Sequence, residues 1–435
     1  MKIRSKFLKN TSWIFFGNVV HAVLQYVINI ICARAFGAND YGLINYAASL
    51  IAFFTSIGTL GFNGIITKKF AENEENAGTY LGTGIMARLF FSVFSIVALQ
   101  VIVKSANGTE PELQIIVFCQ SLQILFGTAD LIVYWFRFKS EAKTVALIRL
   151  FSFFIASVWK IVSIIILNNI VLYVVGVALE TALFSVLLVW FFHKEYHKYK
   201  FSFDVNTLKN MLKISYPFIF SAILATVYGQ TDKIMIKSML DNNAVAMYSV
   251  SQTLAGVIAI IPTALIEGFR PDIMTYKIKD ETMYRIRLKQ LYGIVFWLCM
   301  IYGLFITLLA RPVVLLLYGN AYIGAVPSLS LIVWYTSFSY FGAINNLYMV
   351  AENKTVWVQV TALTGAALNI GLNFFMIPSG GIVGAAAASL ITQIVTNFVA
   401  LYCIKPLREN FYIMVQGIIL QGFKGMGIKS LIRRK

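Results

Sequence analysis

Long apolar stretches alternate with short polar connections along the whole chain of 435 residues. A helix that crosses a membrane needs roughly 20 mostly apolar residues, and twelve stretches meet that requirement. The pattern therefore predicts twelve transmembrane helices, at residues 12–34, 43–66, 79–103, 113–136, 144–167, 169–192, 214–238, 244–266, 288–310, 326–350, 355–377 and 381–404.

The composition favours a membrane protein over a soluble one. Hydrophobic residues make up 59% of the chain and charged residues 13%, with a mean hydropathy of +0.75. A soluble globular domain carries about 25% charged residues. We therefore expect an all-α integral membrane protein.

Lysine and arginine are distributed unequally between the two sides of the predicted membrane. Of the 36 such residues, four lie inside the spans and four in connections that face outward if the N-terminus is inside, namely Arg34, Lys104, Lys237 and Arg311. The other 28 then face the cytoplasm, where positive charge accumulates in membrane proteins. Both termini are therefore expected in the cytoplasm, and the net charge of +17 reflects topology, with no nucleic-acid partner.

The longest polar connection, residues 193–213, separates six predicted spans from six more. Because six is even, both sets start on the same side of the membrane, as in a parallel repeat with the substrate cavity between the lobes. The prediction is an N-terminal six-helix lobe (1–192), a basic cytoplasmic linker (193–213), a C-terminal six-helix lobe (214–404) and a basic cytoplasmic tail with an interfacial segment (405–435).

Polar side chains form a stripe on each of the first two predicted spans. Asn18, His21, Gln25 and Asn29 fall within about 80° of one another at 100° per residue. The second stripe contains Asn45, Ser49, Ser56, Thr59 and Asn63. Such stripes either line a cavity or hydrogen-bond neighbouring helices. A cavity is favoured, because His, Gln and several Asn in one stripe exceed what packing usually requires.

Charged residues inside the predicted spans give the sharper clue, since a charge is costly there and usually faces protein or water. The cations are Arg88, Arg149, Lys160 and Lys233, and the anions are Asp130, Glu180 and Asp232. The excess of cations favours an anionic substrate that moves outward past them. The alternative is a structural role, in which Lys160 pairs with Glu180 and Lys233 extends towards the membrane surface.

Two sets of candidate site residues follow. We expect substrate binding by Arg88, Arg149, Lys160, Lys233, His21, Asn18 and Gln25. The acids Asp232, Glu180 and Asp130 are candidates for coupling transport to a proton or sodium gradient. Asp232 and Lys233 are adjacent, so their side chains point about 100° apart on a helix and each is expected to have its own partner.

The sequence shows no pattern typical of a disulfide framework, a metal site or a phosphate-binding loop. The four cysteines lie in or near different spans without a pairing pattern, so neither a disulfide framework nor a metal site is expected. The stretch GFKGMGIKS at 422–430 has Ile428 where a phosphate-binding loop needs lysine. We therefore expect no cofactor and no catalytic residues.

Several short segments carry a family resemblance. They are RAFGANDYG at 34–42, DKIMIKSM at 232–239 followed by VAMYS at 245–249, EGFRP at 267–271 and GGIVGAAAAS at 380–389. With them the chain resembles the Wzx-type polysaccharide and O-antigen repeat-unit flippases, in the multidrug/oligosaccharidyl-lipid/polysaccharide exporter superfamily. The resemblance covers almost the whole chain, although its motifs are loose and largely structural.

The resemblance implies twelve helices in two bundles and a bacterial plasma membrane location. It also implies that an undecaprenyl-pyrophosphate-linked oligosaccharide is flipped from the inner to the outer leaflet by alternating access, for surface polysaccharide or capsule biosynthesis. Partners would include the polymerase and chain-length proteins of the same pathway. The alternatives are a multidrug or other lipid-linked precursor exporter of the same superfamily, and a membrane-embedded polymerase or ligase.

Overall fold

The computed structural model describes residues 2–106 and 110–421, without the side chains of residues 2–16 and 18. Every regular element in these ranges is helical, which confirms the all-α prediction for them. The chain divides into two compact units between Ile234 and Met235. We call the part before this division unit 1 and the part after it unit 2.

Unit 1 is built from long helices joined by short turns. Its helices are α1 (Lys2–Gly58), α2 (Ile66–Glu72), α3 (Ala77–Ala106), α4 (Pro111–Phe126), α5 (Leu131–Phe138), α6 (Ala142–Ile165), α7 (Ile170–Glu195) and most of α8 (Val205–Met239). A 3-10 turn at Phe62–Gly64 follows α1, and another at Gly127–Asp130 joins α4 to α5.

Unit 2 has a similar succession of helices. These are α9 (Asn242–Gly256), α10 (Ile260–Lys279), α11 (Glu281–Leu317), α12 (Ala325–Ala351), α13 (Thr355–Ile394), α14 (Ala400–Cys403) and α15 (Arg408–Ile418). A π-helical turn at Val395–Val399 joins α13 to α14. Residues 422–435, the end of the predicted tail, lie outside the described part of the chain.

Helices α1 and α13 each bend at one glycine. A straight helix of 57 residues would measure about 85 Å, far more than the hydrocarbon core of a bilayer, which is about 30 Å thick. In α1 the break is at Gly37 (φ 79°), and in α13 it is at Gly381 (φ 57°). Glycine adopts positive φ without steric cost, so one residue suffices to change the helix direction where the sequence predicted longer connections.

Nine helical segments of the described chain are long and apolar enough to cross a membrane. Large apolar side chains project outward from several of them, such as Phe90 on α3 and Ile301 on α11. A surface of this kind suits hydrocarbon better than water. The chain is therefore a multi-pass membrane protein.

A cluster of aromatic and charged residues ties three connections of unit 1 together. Trp135 is fully buried, and its ring meets Phe70 edge-on at 5.1 Å between centroids. Next to it, Lys139 Nζ lies 2.6 Å from Glu74 Oε1, and the Tyr199 hydroxyl donates to the same carboxylate. The segments after α2, α5 and α7 therefore meet at one end of unit 1.

Unit 2 contains a comparable cluster at the ends of its helices. Lys277, near the end of α10, lies 2.6 Å from Glu352 Oε1, just after α12. Arg285 of α11 lies 2.5 Å from Glu409 of α15. In each unit an ion pair joins the segment after one helix to the segment after a later helix. The acid and the base have exchanged places: along the chain Glu74 precedes Lys139 in unit 1, whereas Lys277 precedes Glu352 in unit 2.

Candidate functional site

Three cavities lie among the described residues of unit 1, and we name each after one of its lining residues. The Gln230 cavity has a volume of about 480 Å³ and lies between α1, α4 and α8. The Arg88 cavity has a volume of about 210 Å³, and the Arg149 cavity one of about 170 Å³. All three are lined largely by polar and charged side chains or small residues of the helices.

Neighbouring cavities share walls. The Gln230 and Arg88 cavities have Thr55, Thr59 and Gln123 in common, and the Arg88 and Arg149 cavities have Asp130 and Thr181 in common. The three spaces thus follow one another through unit 1. We call this series the polar tract.

Two residues of the polar stripe predicted on the second span, Ser56 and Thr59, line the Gln230 cavity. Ser49 Oγ donates to Gln230 Oε1 at 3.0 Å, and the Ser56 hydroxyl is hydrogen-bonded to that of Thr226 on α8. Thr226, Gly229 and Gln230 share one face of α8 because they are spaced by three and four residues. The stripe therefore lines a cavity and also hydrogen-bonds a neighbouring helix, so both interpretations of it apply.

Arg88 projects from α3 into the second cavity and is almost fully buried. Its Nε and Nη2 atoms donate to the carbonyl oxygen of Thr59 at 3.1 and 2.6 Å, and Nη2 also donates to Asn63 Oδ1 at 2.9 Å. The chain turns here, with Leu60 at φ 49°. Arg88 therefore secures the turn that ends α1 and at the same time brings positive charge to the tract, opposite Asp130.

Arg149 of α6 occupies the third cavity together with Asp130 and Ser152. Its guanidinium carbon lies 4.9 Å from the centre of the Phe184 ring, a position in which the cation is attracted by the face of the aromatic ring. Within the described residues Arg149 has no salt bridge shorter than 4 Å. Its guanidinium thus lines the Arg149 cavity without a direct ion pair to a described carboxylate.

Lys160, three turns further along α6, is paired. Its Nζ lies 2.7 Å from Glu180 Oε2, and His21 Nε2 lies 3.1 Å from Glu180 Oε1. Gly176, one turn before Glu180 on α7, leaves room for the lysine, since a Cβ there would come within 2.8 Å of Lys160 Cγ. The pairing of Lys160 with Glu180 that the sequence offered as an alternative is present.

The charges around the tract add up to a positive excess. Arg88, Arg149 and Lys160 face Asp130 and Glu180, which leaves one net positive charge when His21 is neutral. Buried cations with free donors bind phosphate groups through charge-assisted hydrogen bonds. Among the described residues no group of three His, Cys, Asp or Glu could hold a metal ion.

Gln25, Asp232 and Lys233 are not among the residues that line the three cavities. Gln25 donates to Asn29 at 3.0 Å, and the side chain of Asn18 is outside the described residues. Lys233 follows Gln230 by about one turn on the same face of α8, beyond the lining of the Gln230 cavity. Asp232 is buried and has a partner. The roles of all these residues stay predictions.

Sequence reasoning overlooked the glutamines and threonines that join the cavities. Gln123 and Gln230 line the Gln230 cavity, and Thr181 lines the Arg149 cavity with Asp130. A signal was present for Gln230, because it lies three residues before Lys233 in an otherwise apolar helix. Gln123 and Thr181 carry no such signal, since single neutral polar residues are common in membrane helices.

Unit 2 has a buried polar network that the sequence did not indicate. The Tyr292 hydroxyl lies 2.6 Å from Asn345 Oδ1 and 3.1 Å from Asn410 Oδ1. Asn410 Nδ2 donates to Asn345 Oδ1 at 3.0 Å, and Asn397, in the π-helical turn, donates to Gln393 at 2.5 Å. The network attaches α15 to the helices of unit 2.

Several solved structures share the fold of this chain. The lipid II flippase MurJ, in an inward closed conformation, has a TM-score of 0.71 with 15% identity, covering 96% of this chain and 95% of that one. A multidrug resistance MATE family transporter of the MOP superfamily, facing inward, has a TM-score of 0.68 with 14% identity over 89% of this chain and 96% of that one. These likenesses show that the chain shares the fold of these two proteins.

The sequence itself matches one family model. Comparison with curated proteins gives no significant match. The family model described as polysaccharide biosynthesis protein matches residues 7–267, which is more than half of the 435 residues. With the fold of the MOP-superfamily transporters and this match, the chain belongs to the polysaccharide biosynthesis protein family.

Proposed function

We propose that the protein is a flippase that moves an undecaprenyl-pyrophosphate-linked oligosaccharide from the inner to the outer leaflet of the bacterial plasma membrane. The family supports a role in polysaccharide biosynthesis, and a fold likeness to the lipid II flippase MurJ supports a lipid-linked substrate. Partners would be the polymerase and chain-length proteins of the same pathway.

The observation that carries this proposal is the cationic tract with Arg149 in it. Arg149 has no ion pair with a described carboxylate and lies over the face of Phe184, while Arg88, which is almost fully buried, adds a second cation. A pyrophosphate loses its hydration on leaving water, and cations in a medium of low dielectric constant can replace that hydration. Arg88 on α3 and Arg149 on α6 would attract a pyrophosphate, whereas they would repel a cationic drug.

The membrane arrangement we propose has twelve spans and two six-helix lobes, 1–192 and 214–404, joined by the linker 193–213 and followed by the tail 405–435. Nine segments have the length and hydropathy of a span. Dividing two of them at Gly37 and Gly381 and adding α12, which has 27 residues, gives twelve. The lysine and arginine distribution favours cytoplasmic termini.

Coupling to a proton or sodium gradient would use the acids. Glu180 is bonded to both His21 and Lys160, so a change in its charge would alter both contacts. Asp130 lies between Arg88 and Arg149, and Asp232 is buried next to Lys233. We assign substrate contact to Lys233 and ion coupling to Asp232 as separate roles.

A multidrug exporter is the second candidate, since a MATE family transporter matches the fold nearly as well. Transport in proteoliposomes separates the two. The purified protein should move a fluorescent undecaprenyl-pyrophosphate disaccharide between leaflets, and the Arg149→Ala variant should not. Transport of a lipophilic organic cation, without movement of the lipid-linked sugar, would overturn the flippase proposal.

A further inference from the structure

An apolar groove lies on the outside of unit 1, away from the polar tract. Its volume is about 500 Å³, and it lies between α3, the start of α8 and the turn after α1. Every lining residue is apolar: Leu60, Met86, Ala87, Phe90, Phe91, Phe203, Leu208 and Leu212. Met86 is 56% exposed and Phe90 82% exposed, so the groove opens outward from the unit.

Only a thin wall separates this groove from the Arg88 cavity. Leu60 lines the groove, while its neighbour Thr59 lines the cavity. Gly58 belongs to the cavity wall, and a Cβ at Gly58 would lie 3.3 Å from the ring of Phe91 in the groove. The walls of the groove and of the cavity are thus in contact at Gly58 and Phe91.

Opposite faces of helix α3 line the apolar groove and the Arg88 cavity. Arg88 is two residues from Met86 and two from Phe90, which places it about 160° around the helix from each of them. Arg88 therefore points into the polar tract while Met86 and Phe90 point into the groove. A ligand that fits both places must carry an anionic part directly attached to a hydrocarbon part.

We propose that the groove binds the isoprenoid chain of the lipid carrier, in the segment next to its pyrophosphate. This inference rests on the proposed function and adds a second subsite to it, with the pyrophosphate assigned to the cationic tract. In the proposed orientation, the starts of α3 and α8 and the turn after α1 lie towards the cytoplasm, so the groove faces the leaflet in which the substrate is made. Phe90, Phe91 and Phe203 offer flat surfaces against which an unsaturated hydrocarbon chain packs.

A pair of matched variants tests the groove. Met86→Trp fills it, whereas Val97→Trp adds the same ring to a residue of α3 that is 59% exposed and lies three turns away. Binding of undecaprenyl pyrophosphate and of inorganic pyrophosphate is measured with the full-length protein in nanodiscs of phosphatidylcholine. We expect Met86→Trp to weaken undecaprenyl pyrophosphate binding about tenfold, equivalent to roughly two buried methylene groups, and to leave inorganic pyrophosphate binding unchanged.

Val97→Trp should change neither binding constant. If Met86→Trp binds undecaprenyl pyrophosphate as tightly as the wild type does, the chain lies elsewhere and the proposal is wrong. A tenfold loss in both variants would also overturn it, because a general effect on the lipid-facing surface would then explain the result.

Photochemical labelling tests the same groove without filling it. With p-benzoylphenylalanine at position 90, ultraviolet light should attach undecaprenol to the protein, and excess phosphatidylglycerol should not compete. Equal labelling by the phospholipid would mean that ordinary membrane lipid occupies the groove, which contradicts the proposal. At position 97 the same photoreactive residue should not prefer undecaprenol.

The two proposals can fail separately. If the wild type binds neither pyrophosphate compound while undecaprenol is still attached at position 90, the anion site of the proposed function is wrong and the groove is supported. If both pyrophosphate compounds bind and undecaprenol is not attached at position 90, the groove is wrong and the anion site is supported.

Discussion

The ammonium nitrogen of Lys160 lies 2.7 Å from Glu180 Oε2 in the interior of unit 1. Lys160 is 1% exposed, so its charge is largely balanced by this one carboxylate. Arg149, on the same helix, lies over the face of Phe184 and shares a cavity with Asp130, but no described carboxylate oxygen lies within 4 Å of its guanidinium. Two cations that look alike in the sequence therefore differ in what they can offer to a substrate.

Loss of Lys160 should destabilise the protein. Lys160→Ala leaves Glu180 without its buried partner, and removal of one partner of such a pair costs about 3 kcal/mol. The thermal unfolding temperature of the purified protein should fall clearly. The double variant Lys160→Met, Glu180→Gln should recover part of the loss, because no uncompensated charge remains; a double variant less stable than Lys160→Ala would contradict the pairing.

Loss of Arg149 should affect transport more than stability. Arg149→Ala is expected to lower the initial flipping rate in proteoliposomes at least about tenfold, with an unfolding temperature close to that of the wild type. Arg149→Lys should keep part of the rate, since it retains charge but loses the planar donor geometry. Normal flipping by Arg149→Ala would exclude the anion path.

Replacement of Arg88 by lysine should lower the stability of the folded protein. Arg88→Lys keeps the charge but cannot make the two hydrogen bonds to Thr59 and the one to Asn63 together, so stability should decrease by about 2 kcal/mol. Arg137→Lys, at an exposed arginine next to Tyr134, is the matched control and should be neutral. Equal unfolding temperatures for the two variants would exclude a role for Arg88 in holding the turn after α1.

The cluster at Glu74 should weaken in acid. Hydrogen bonds from Lys139 and Tyr199 lower the pKa of Glu74. The folded-state pKa is thus below the unfolded value of about 4.3, so this contribution to stability is present above that value and is lost as the pH falls through the lower folded pKa. The protection of residues 73–76 and 196–204 against hydrogen exchange, relative to the intrinsic rate at each pH, should decrease in that range, and Glu74→Gln should show the lower protection already at pH 7. Identical pH profiles for both proteins would contradict this role.

Topology can be tested with cysteines at two exposed positions, Lys198 and Asn320. The exposed native Cys403 is first replaced by serine. In intact cells an impermeant thiol reagent should label a cysteine at 320 and not one at 198, because the positive charges favour a cytoplasmic linker. Labelling at 198 in sealed cells would reverse the proposed orientation.

Hydropathy located the long helices because burial in a bilayer imposes a length and a composition on each span. It predicted α3, α6 and α7 within a few residues. The bends at Gly37 and Gly381 could not be resolved in detail, since a single glycine changes the helix direction without changing the hydropathy.

The candidate site could be predicted only in part. Charged residues in apolar segments indicated Arg88, Arg149, Lys160 and Glu180, because each must find a partner or water. Which partner each one has depends on contacts between helices distant in the chain. The bond between Arg88 and a backbone carbonyl has no sequence pattern, and neither has the network around Tyr292, whose members are single polar residues in different helices.

The ion pairs Glu74–Lys139 of unit 1 and Lys277–Glu352 of unit 2 have the acid and the base in opposite order along the chain, and this order affects how the chain assembles. Glu74 attracts Lys139 in unit 1, whereas in unit 2 the base Lys277 attracts the acid Glu352. If the segment after α2 met the segment after α12 during insertion, two carboxylates would face each other; a meeting of Lys277 with Lys139 would bring two ammonium groups together. Like charges disfavour such mispairing. Repulsion between like charges therefore favours pairing of these segments within their own unit while the chain folds.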